Sequence, residues 1–383
     1  MGGNKKYTGY RAYQYLTPGK DYKEFELREA IKPEWSYLVP LSKNEEERVE
    51  EILEKNIVID LHEHPTMMAA DPNQSRDLSR EGREFMAYEA LSMSYVDAMF
   101  DNLMDGSANI TSKHGWSWTD TIHDLGQRLC DISHQDFVIH CKSVDDIIMA
   151  YETGRMAWVA CLESSSSIEN EVDRIDILYG LGVRLMGICY SESNMLGTGL
   201  NELRDGGLTD FGHDCVVRMN KLGMLIDVSH TSDQTALDAM ESSKKPIIVS
   251  HAGARALLPI KRLFPDEVLK TLAENDGLIG VEAAPGYTAT EEDPIPSIDT
   301  YMAHIEYCID LMGIDYVGCG PDTLYGDHVG LYRAEEKNSD RSGLGHHPRP
   351  EQTGEPPTET LPDYVRGMEN PTECMQNITR WLV

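Results

Sequence analysis

Residues 58–65 read VIDLHEHP, a stretch in which an apolar-rich strand pattern runs into His62, Glu63 and His64 before Pro65 ends it. Side chains two positions apart on a strand point to the same face, so His62 and His64 can both face one metal ion. Glu63 points to the other face, and we expect it to have a structural or supporting role. The stretch therefore predicts a strand whose C-terminal end carries metal ligands.

Seven further strand-like runs follow this pattern along the chain. With the first, they cover residues 56–64, 94–103, 156–164, 183–191, 223–230, 245–251, 277–283 and 315–322. Most are nearly continuous apolar runs, which is typical of strands buried on both faces. Helical patterns lie between them, for example at residues 231–244, 264–276 and 297–313. This alternation predicts an α/β fold, a (β/α)8 TIM-type barrel, and periodicity alone leaves an open doubly wound sheet as the alternative.

The rest of the chain suggests how this domain is organised. Residues 1–43 are rich in tyrosine and charge, and we expect an N-terminal extension packed on the barrel. Residues 44–383 are then expected to form the barrel domain, with a polar, Pro- and Gly-rich loop at 331–362. The last stretch, NPTECMQNITRWLV (370–383), predicts an amphipathic helix that we expect to be cut short at its C-terminal end.

Composition excludes several classes of function. The formal net charge of −31 argues against binding of nucleic acid or anionic membranes through a general electrostatic field. The eight cysteines form no C-x-x-C pair, so a cysteine-based zinc site is not expected. No stretch approaches ~18 uninterrupted apolar residues, and the first residues lack the apolar run of a signal peptide. We therefore expect a cytoplasmic protein without a membrane span.

Six side chains able to bind metal lie at the C-terminal ends of five predicted strands. They are His62, His64, Glu163, His230, His251 and Asp322. In a barrel these strand ends open onto one face, where active sites lie. Imidazole and carboxylate ligands without thiolate suit Zn²⁺, with Mn²⁺ or Fe²⁺ as alternatives.

Six ligands are too many for one tetrahedral zinc, and they suit two divalent ions that share a carboxylate, ~3.5–4 Å apart. Such a pair makes hydroxide available near neutral pH and polarises a carbonyl group. Asp322 is then the candidate proton shuttle, and it can also contact a metal.

A longer stretch, residues 207–257, carries the pair of motifs DVSH and SHAGARAL. With these motifs the chain resembles the membrane (renal) dipeptidases of the amidohydrolase superfamily, and the resemblance extends more weakly over residues 56–380. It implies a (β/α)8 barrel that binds two zinc ions, forms a homodimer and hydrolyses dipeptides.

The resemblance also implies roles for individual ligands. His62 and His64 would hold one ion, and His230 and His251 the other. Glu163 would bridge the two ions.

The same resemblance assigns the acid/base role to Asp322, in the motif CGPD, and substrate binding to Arg262, in KRLFPDEV. A guanidinium can hold a dipeptide's C-terminal carboxylate through two parallel hydrogen bonds. Two positions depart from the family pattern. His64 stands where the family usually has Asp, which removes a negative charge from the metal ligands. Tyr190, in GICYSESN, takes the place of a histidine that holds the substrate carbonyl oxygen. Its hydroxyl can donate to a developing oxyanion, or its ring can form a pocket wall.

These observations predict a binuclear-metal-dependent hydrolase that cleaves the amide bond of dipeptides or similar small amides through a metal-bridging hydroxide. The expected partner is a small-molecule substrate. One alternative is a lactonase or N-acyl amino acid amidohydrolase with the same metal centre. Another is a catalytically inactive barrel that acts as a binding protein.

Overall fold

A computed structural model provides the structure of the 383-residue chain. It describes residues 6–31, 36–74, 77–78, 81–103, 117–323, 325 and 365–383. The polar loop predicted at residues 331–362 lies outside the described residues.

Eleven strands occur in the described part of the chain. They are β1 (Ile59–Glu63), β2 (Thr66–Met67), β3 (Phe85–Met86), β4 (Ala98–Leu103), β5 (Val138–His140), β6 (Met156–Leu162), β7 (Val183–Gly187), β8 (Leu225–Asp227), β9 (Ile248–Ala252), β10 (Leu278–Val281) and β11 (Val317–Cys319). The eight predicted runs correspond to β1, β4, β6, β7, β8, β9, β10 and β11. Apolar residues buried on both faces account for the near-continuous hydrophobic runs, as in β6, where every residue is buried.

Helices separate most of these strands. They are α1 (Lys43–Lys55), α2 (Tyr88–Met93), α3 (Trp118–Ile132), α4 (Val144–Glu152), α5 (Asp173–Leu181), α6 (Asp210–Leu222), α7 (Asp233–Ser242), α8 (Asp266–Glu274), α9 (Ile298–Met312) and α10 (Cys374–Leu382). Several begin at a serine or threonine whose hydroxyl accepts a hydrogen bond from the first helical turn. Ser232 does so at α7 and Ser297 at α9, which is why each of these helices begins where it does.

The parallel strands form a nearly closed barrel. Their order is β1-β4-β6-β7-β8-β9-β10-β11, and every pair in this order is parallel. The first and last strands meet where the backbone N–H of Asp322 donates to the carbonyl oxygen of His62 at 3.2 Å. An open doubly wound sheet would leave these two strands far apart. The predicted (β/α)8 barrel is therefore confirmed.

One barrel feature was absent from the sequence prediction. β5 is a three-residue strand that pairs with residues 156–158 of β6, whereas β7 pairs with residues 160–162 of the same strand. Since β4 pairs along the whole of β6, β5 and β7 must share its other edge. The strand is too short to produce a recognisable hydrophobic period.

Close backbone packing around β9 explains two glycines near the barrel mouth. A Cβ atom at Gly280 or Gly320 would lie 2.1 or 2.0 Å from the carbonyl oxygen of Ser250. Both residues must therefore be glycine for the neighbouring strands to approach Ser250 and His251 this closely.

The first and last described segments pack on the barrel. The Tyr10 hydroxyl and the Tyr13 backbone N–H both donate to the Asp131 carboxylate at 2.7 Å. Near the C-terminus, Arg380 Nε donates to the Val39 carbonyl oxygen at 2.7 Å. These bonds fix the two segments against α3 and against each other. Within the described residues, no helix is both long and apolar enough to cross a membrane.

Candidate metal centre and substrate pocket

The barrel brings the six predicted ligands together at one end. All six side chains are buried, with no more than 9% of any residue exposed. They are His62, His64, Glu163, His230, His251 and Asp322. Each lies at or just after the C-terminal end of β1, β6, β8, β9 or β11, as the parallel arrangement requires.

Glu163 lies at the centre of this cluster. Its Oε1 is 3.3 Å from His230 Nε2, 3.5 Å from His251 Nε2 and 3.9 Å from His62 Nε2. Its Oε2 is 4.0 Å from His64 Nε2. One carboxylate therefore faces four imidazoles, two from β1 and two from the β8 and β9 ends. This arrangement places Glu163 among the candidate metal ligands.

Asp322 faces the β1 histidines from the other side. Its Oδ1 lies 3.5 Å from His62 Nε2 and 3.7 Å from His64 Nε2. Asp322 and His230 both have left-handed backbone conformations, with φ of 53° and 64°. Residues other than glycine adopt this region at a cost and persist there when the surroundings fix them, most often at functional sites.

The donor set fits divalent metal ions. His62 Nε2 is buried and lacks a hydrogen-bond partner among the described residues. His230 Nε2 and His251 Nε2 lie only 2.8 Å apart. Burial, with the neighbouring His62 imidazole, holds the pKa of His251 well below its usual range. Neutral imidazoles whose ring nitrogens converge on carboxylate oxygens suit Zn²⁺ and similar ions.

Three overlapping groups of side chains place their ligand atoms within 4.8 Å of one another. The groups are His62, His64 and Asp322; His62, Glu163 and His251; and His251, Glu282 and Asp322. The last group contains a carboxylate, Glu282, that the sequence analysis did not single out.

A chain of hydrogen bonds from Asp227 through Ser250 orients the imidazoles of His251 and His62. The Asp227 carboxylate accepts from Ser250 Oγ at 2.5 Å. Ser250 Oγ in turn lies 2.8 Å from His251 Nδ1 and 3.3 Å from His62 Nδ1. Because Ser250 gives its hydrogen to Asp227, it accepts from His251 Nδ1–H, which leaves the lone pair of Nε2 free for a metal.

Glu63 makes a structural contact with the segment that follows Asp322. Its Oε2 accepts from the backbone N–H of Thr323 at 3.1 Å and from the Thr323 hydroxyl at 2.9 Å. Since Thr323 follows Asp322, Glu63 connects the first strand to the segment that carries the candidate proton shuttle. The outward direction predicted for Glu63 from strand alternation agrees with this contact.

Tyr190 and Arg262 both lie beside the cluster. The Tyr190 ring stacks on His230, with ring centroids 4.2 Å apart and an interplanar angle of 19°. Burial and the Glu163 carboxylate raise the pKa of Tyr190, so its hydroxyl stays protonated and able to donate. Arg262 is 4% exposed and donates through Nη2 to Glu282 Oε2 at 2.5 Å. Burial raises the pKa of Glu282 to about 8, although the Arg262 guanidinium beside it lowers it.

Comparison with known proteins identifies the family. Residues 46–331 match the membrane dipeptidases, peptidase family M19. The chain belongs to the membrane dipeptidase family. This membership confirms the resemblance inferred from DVSH and SHAGARAL.

Curated relatives include two fungal proteins named as dipeptidases. The chain is 32% identical over 204 residues to dipeptidase aclJ of Aspergillus oryzae, which is 52% of this chain and 48% of the relative. It is 30% identical over 213 residues to dipeptidase tcpJ of Claviceps purpurea, covering 55% of this chain and 50% of the relative. The chain thus spans about half the length of the curated relatives it matches.

Solved structures share the dipeptidase-family fold. An amidohydrolase from Pseudomonas aeruginosa has a TM-score of 0.68 at 25% identity, covering 87% of this chain and 91% of that one. A metallopeptidase from Rhodobacter sphaeroides, solved with a phosphinate mimic of L-Ala-D-Ala, has a TM-score of 0.58 at 17% identity. It covers 75% of this chain and 94% of that one, and shows the fold alone.

Two features of this dipeptidase-family site were missed in the sequence. Glu282 follows the apolar run of β10, where a lone acidic residue resembles an ordinary strand boundary. Asp227 precedes the SH of DVSH, and only the fold shows that it holds Ser250. The roles predicted for the individual ligands, for Tyr190 and for Arg262 stay predictions.

Proposed function

We propose that the chain is a hydrolase that cleaves the amide bond of dipeptides or related small amides, with two divalent metal ions, most favourably Zn²⁺. The observation that carries this proposal is the position of Glu163 between two pairs of imidazoles. The dipeptidase names of the fungal relatives support the same reaction class.

The proposed ligand assignment is the one that the family resemblance implies, and the 2.8 Å between His230 Nε2 and His251 Nε2 supports its second pair. His62 and His64 would hold one ion, His230 and His251 would hold the other, and Glu163 would be shared by both. When bound, such ions supply a water of lowered pKa and polarise the scissile carbonyl group. The protein's contribution is to fix the imidazole tautomers, which the contact of Ser250 with His251 and His62 supports.

Asp322 is placed to move the proton. Its carboxylate lies beside the β1 imidazoles, and the left-handed backbone at this residue directs it there. We assign it the transfer of a proton from the attacking water to the amine that leaves. Glu63 supports this position because it holds the next residue, Thr323.

Tyr190 and Arg262 are proposed to contact the substrate. The Tyr190 hydroxyl, kept protonated by burial, donates to the carbonyl oxygen as negative charge develops on it. The ring is held by stacking on His230. Arg262, buried beside Asp322 and Tyr287, binds the end of the substrate that lies beyond the scissile bond.

A hydrolysis screen tests this function. Zinc- and manganese-loaded protein is supplied with L,L and L,D dipeptides, N-acyl amino acids and simple lactones, and Asp322→Asn serves as the control. We expect amide turnover that falls by about 10²- to 10⁴-fold in Asp322→Asn while bound metal is retained. Turnover of lactones alone would indicate that the enzyme is a lactonase. Absence of any turnover would contradict the proposal.

A further inference from the structure

A buried ion pair occupies the proposed substrate end of the pocket. Arg262 and Glu282 are 4% and 1% exposed, and Nη2 of the arginine donates to Oε2 of the glutamate at 2.5 Å. Glu282 follows β10, and its backbone N–H is held by the Ala252 carbonyl oxygen at 2.8 Å. Its carboxylate lies within 4.8 Å of ligand atoms of His251 and Asp322. The pair therefore adjoins the candidate metal centre.

The charge of this pair opposes the binding of a second carboxylate. A substrate carboxylate that reached Arg262 would lie beside Glu282 in a site where burial strengthens like-charge repulsion. Asp322 adds another negative charge nearby. A guanidinium neutralised by an ionised Glu282 is a poor receptor for a free α-carboxylate, and divalent ions in the neighbouring centre would favour this ionised form.

The atoms of Arg262 and Glu282 that make no hydrogen bond indicate which groups the pair can bind. Among the described residues, Arg262 Nε and Nη1 and Glu282 Oε1 are buried without hydrogen-bond partners. Two donor nitrogens and one acceptor oxygen thus lack partners on a pair whose charges cancel when Glu282 is ionised. A neutral group that offers both an acceptor and a donor, such as a carboxamide, satisfies them, and a carboxylate offers acceptors only.

We propose that Glu282 is a specificity-determining residue that directs the site away from substrates with a free C-terminal carboxylate and towards substrates whose corresponding end is a neutral carboxamide. The inference rests on the proposed amide hydrolysis, and it narrows the substrate class within it.

The test compares L-Ala-L-Ala with L-Ala-L-Ala-NH₂, which differ only at this end. Binding to the zinc-loaded Asp322→Asn variant is measured by calorimetry, so that no turnover is needed. We expect the amide to bind at least ~10-fold more tightly than the free dipeptide. In the double variant Asp322→Asn/Glu282→Gln the preference should reverse, because a neutral side chain at position 282 leaves Arg262 free to pair with a carboxylate.

Two further double variants distinguish an effect of the charge at position 282 from an effect on folding. Asp322→Asn/Glu282→Asp keeps the negative charge and should keep the preference for the amide. Asp322→Asn/Glu84→Gln changes another buried glutamate that pairs with an arginine, Arg128, and should leave the ratio unchanged.

Equal or tighter binding of the free dipeptide to Asp322→Asn would overturn the inference, whether or not the Glu282→Gln protein folds. An unchanged ratio in a folded Glu282→Gln variant would overturn it too. Turnover of dipeptides by the wild-type protein together with either result would leave the proposed hydrolase function standing. Failure of both ligands to bind or to be hydrolysed would contradict the proposed function itself.

Discussion

Asp227→Asn is predicted to weaken metal binding without removing a ligand. The carboxylate is buried and accepts four hydrogen bonds. Oδ1 accepts from the Ser229 backbone N–H at 2.9 Å, the Ser229 hydroxyl at 2.8 Å and the Ser250 backbone N–H at 3.0 Å. Oδ2 accepts from the Ser250 hydroxyl at 2.5 Å. In the variant, the amide NH₂ must avoid the two backbone N–H donors, which cannot reorient, so it takes the place of Oδ2.

Ser250 transmits the effect of this amide group to the imidazole of His251. With an NH₂ group donating to it, the Ser250 hydroxyl is free to give its own hydrogen to His251 Nδ1, 2.8 Å away. An imidazole that accepts at Nδ1 carries its proton at Nε2, where it can no longer bind a metal. Loss of such orienting partners typically weakens metal binding by about 10- to 100-fold, which corresponds to about 1.4–2.8 kcal/mol.

The assay is competition for zinc between the metal-free protein and a chromophoric chelator, with urea unfolding measured in parallel. Asp131→Asn is the matched control, because Asp131 is also buried and accepts hydrogen bonds from Tyr10, Tyr13 and Tyr88. It should lower the free energy of unfolding by about 1.5–3 kcal/mol without changing the zinc affinity. A zinc Kd of Asp227→Asn within threefold of the wild-type value would refute the tautomer argument.

Three other predictions address separate features. Tyr190→Phe keeps the ring that stacks on His230 but loses the hydroxyl. We expect kcat to fall by about 10²-fold or more, with the amount of bound zinc unchanged. A kcat equal to the wild-type value would mean that Tyr190 only forms part of the pocket wall. Glu163→Gln should reduce bound zinc, measured by elemental analysis after gel filtration, to fewer than two ions per chain, and retention of two would exclude Glu163 as the bridge. Burial and the Glu84 carboxylate raise the pKa of Asp124 to about 8, against ~3.9 in the unfolded chain. The folded state therefore keeps this proton while the unfolded state loses it, and stability falls by up to ~1.4 kcal/mol per pH unit between about pH 4 and 8. Asp124→Asn has no proton to lose, and its urea unfolding should show a smaller decrease between pH 5 and 8.

The barrel and its ligand cluster could be predicted because local sequence carries both signals. Buried parallel strands are apolar along their length, so their ends are marked by the first polar residues, and His62, Glu163, His230 and Asp322 all lie at such ends. Parallel topology then places these ends on one face whatever the loops do. The positions of these residues along the chain were therefore enough to predict that they meet in one candidate site.

Features that depend on pairing between distant segments could not be predicted in this way. Arg262 and Glu282 are 20 positions apart and come from a loop and a strand end, so neither residue identifies the other. Asp227 and Ser250 lie on neighbouring strands, and their contact depends on the register between β8 and β9. The short strand β5 contains too few residues for any period to show.

The charges of the site help to explain why substrate choice would reside in Glu282 rather than in the metal ligands. The family resemblance implies a carboxylate where this chain has His64. With Glu163, Asp322 and Glu282 all ionised and Arg262 balancing one of them, the site would carry a net of two negative charges. Two divalent ions would bring four positive charges, and their field would attract any carboxylate. Attraction of that kind fixes neither the orientation of a substrate nor its class. A buried carboxylate beside Arg262 does both, because it repels an anionic end locally and leaves the carbonyl group to approach the imidazole cluster.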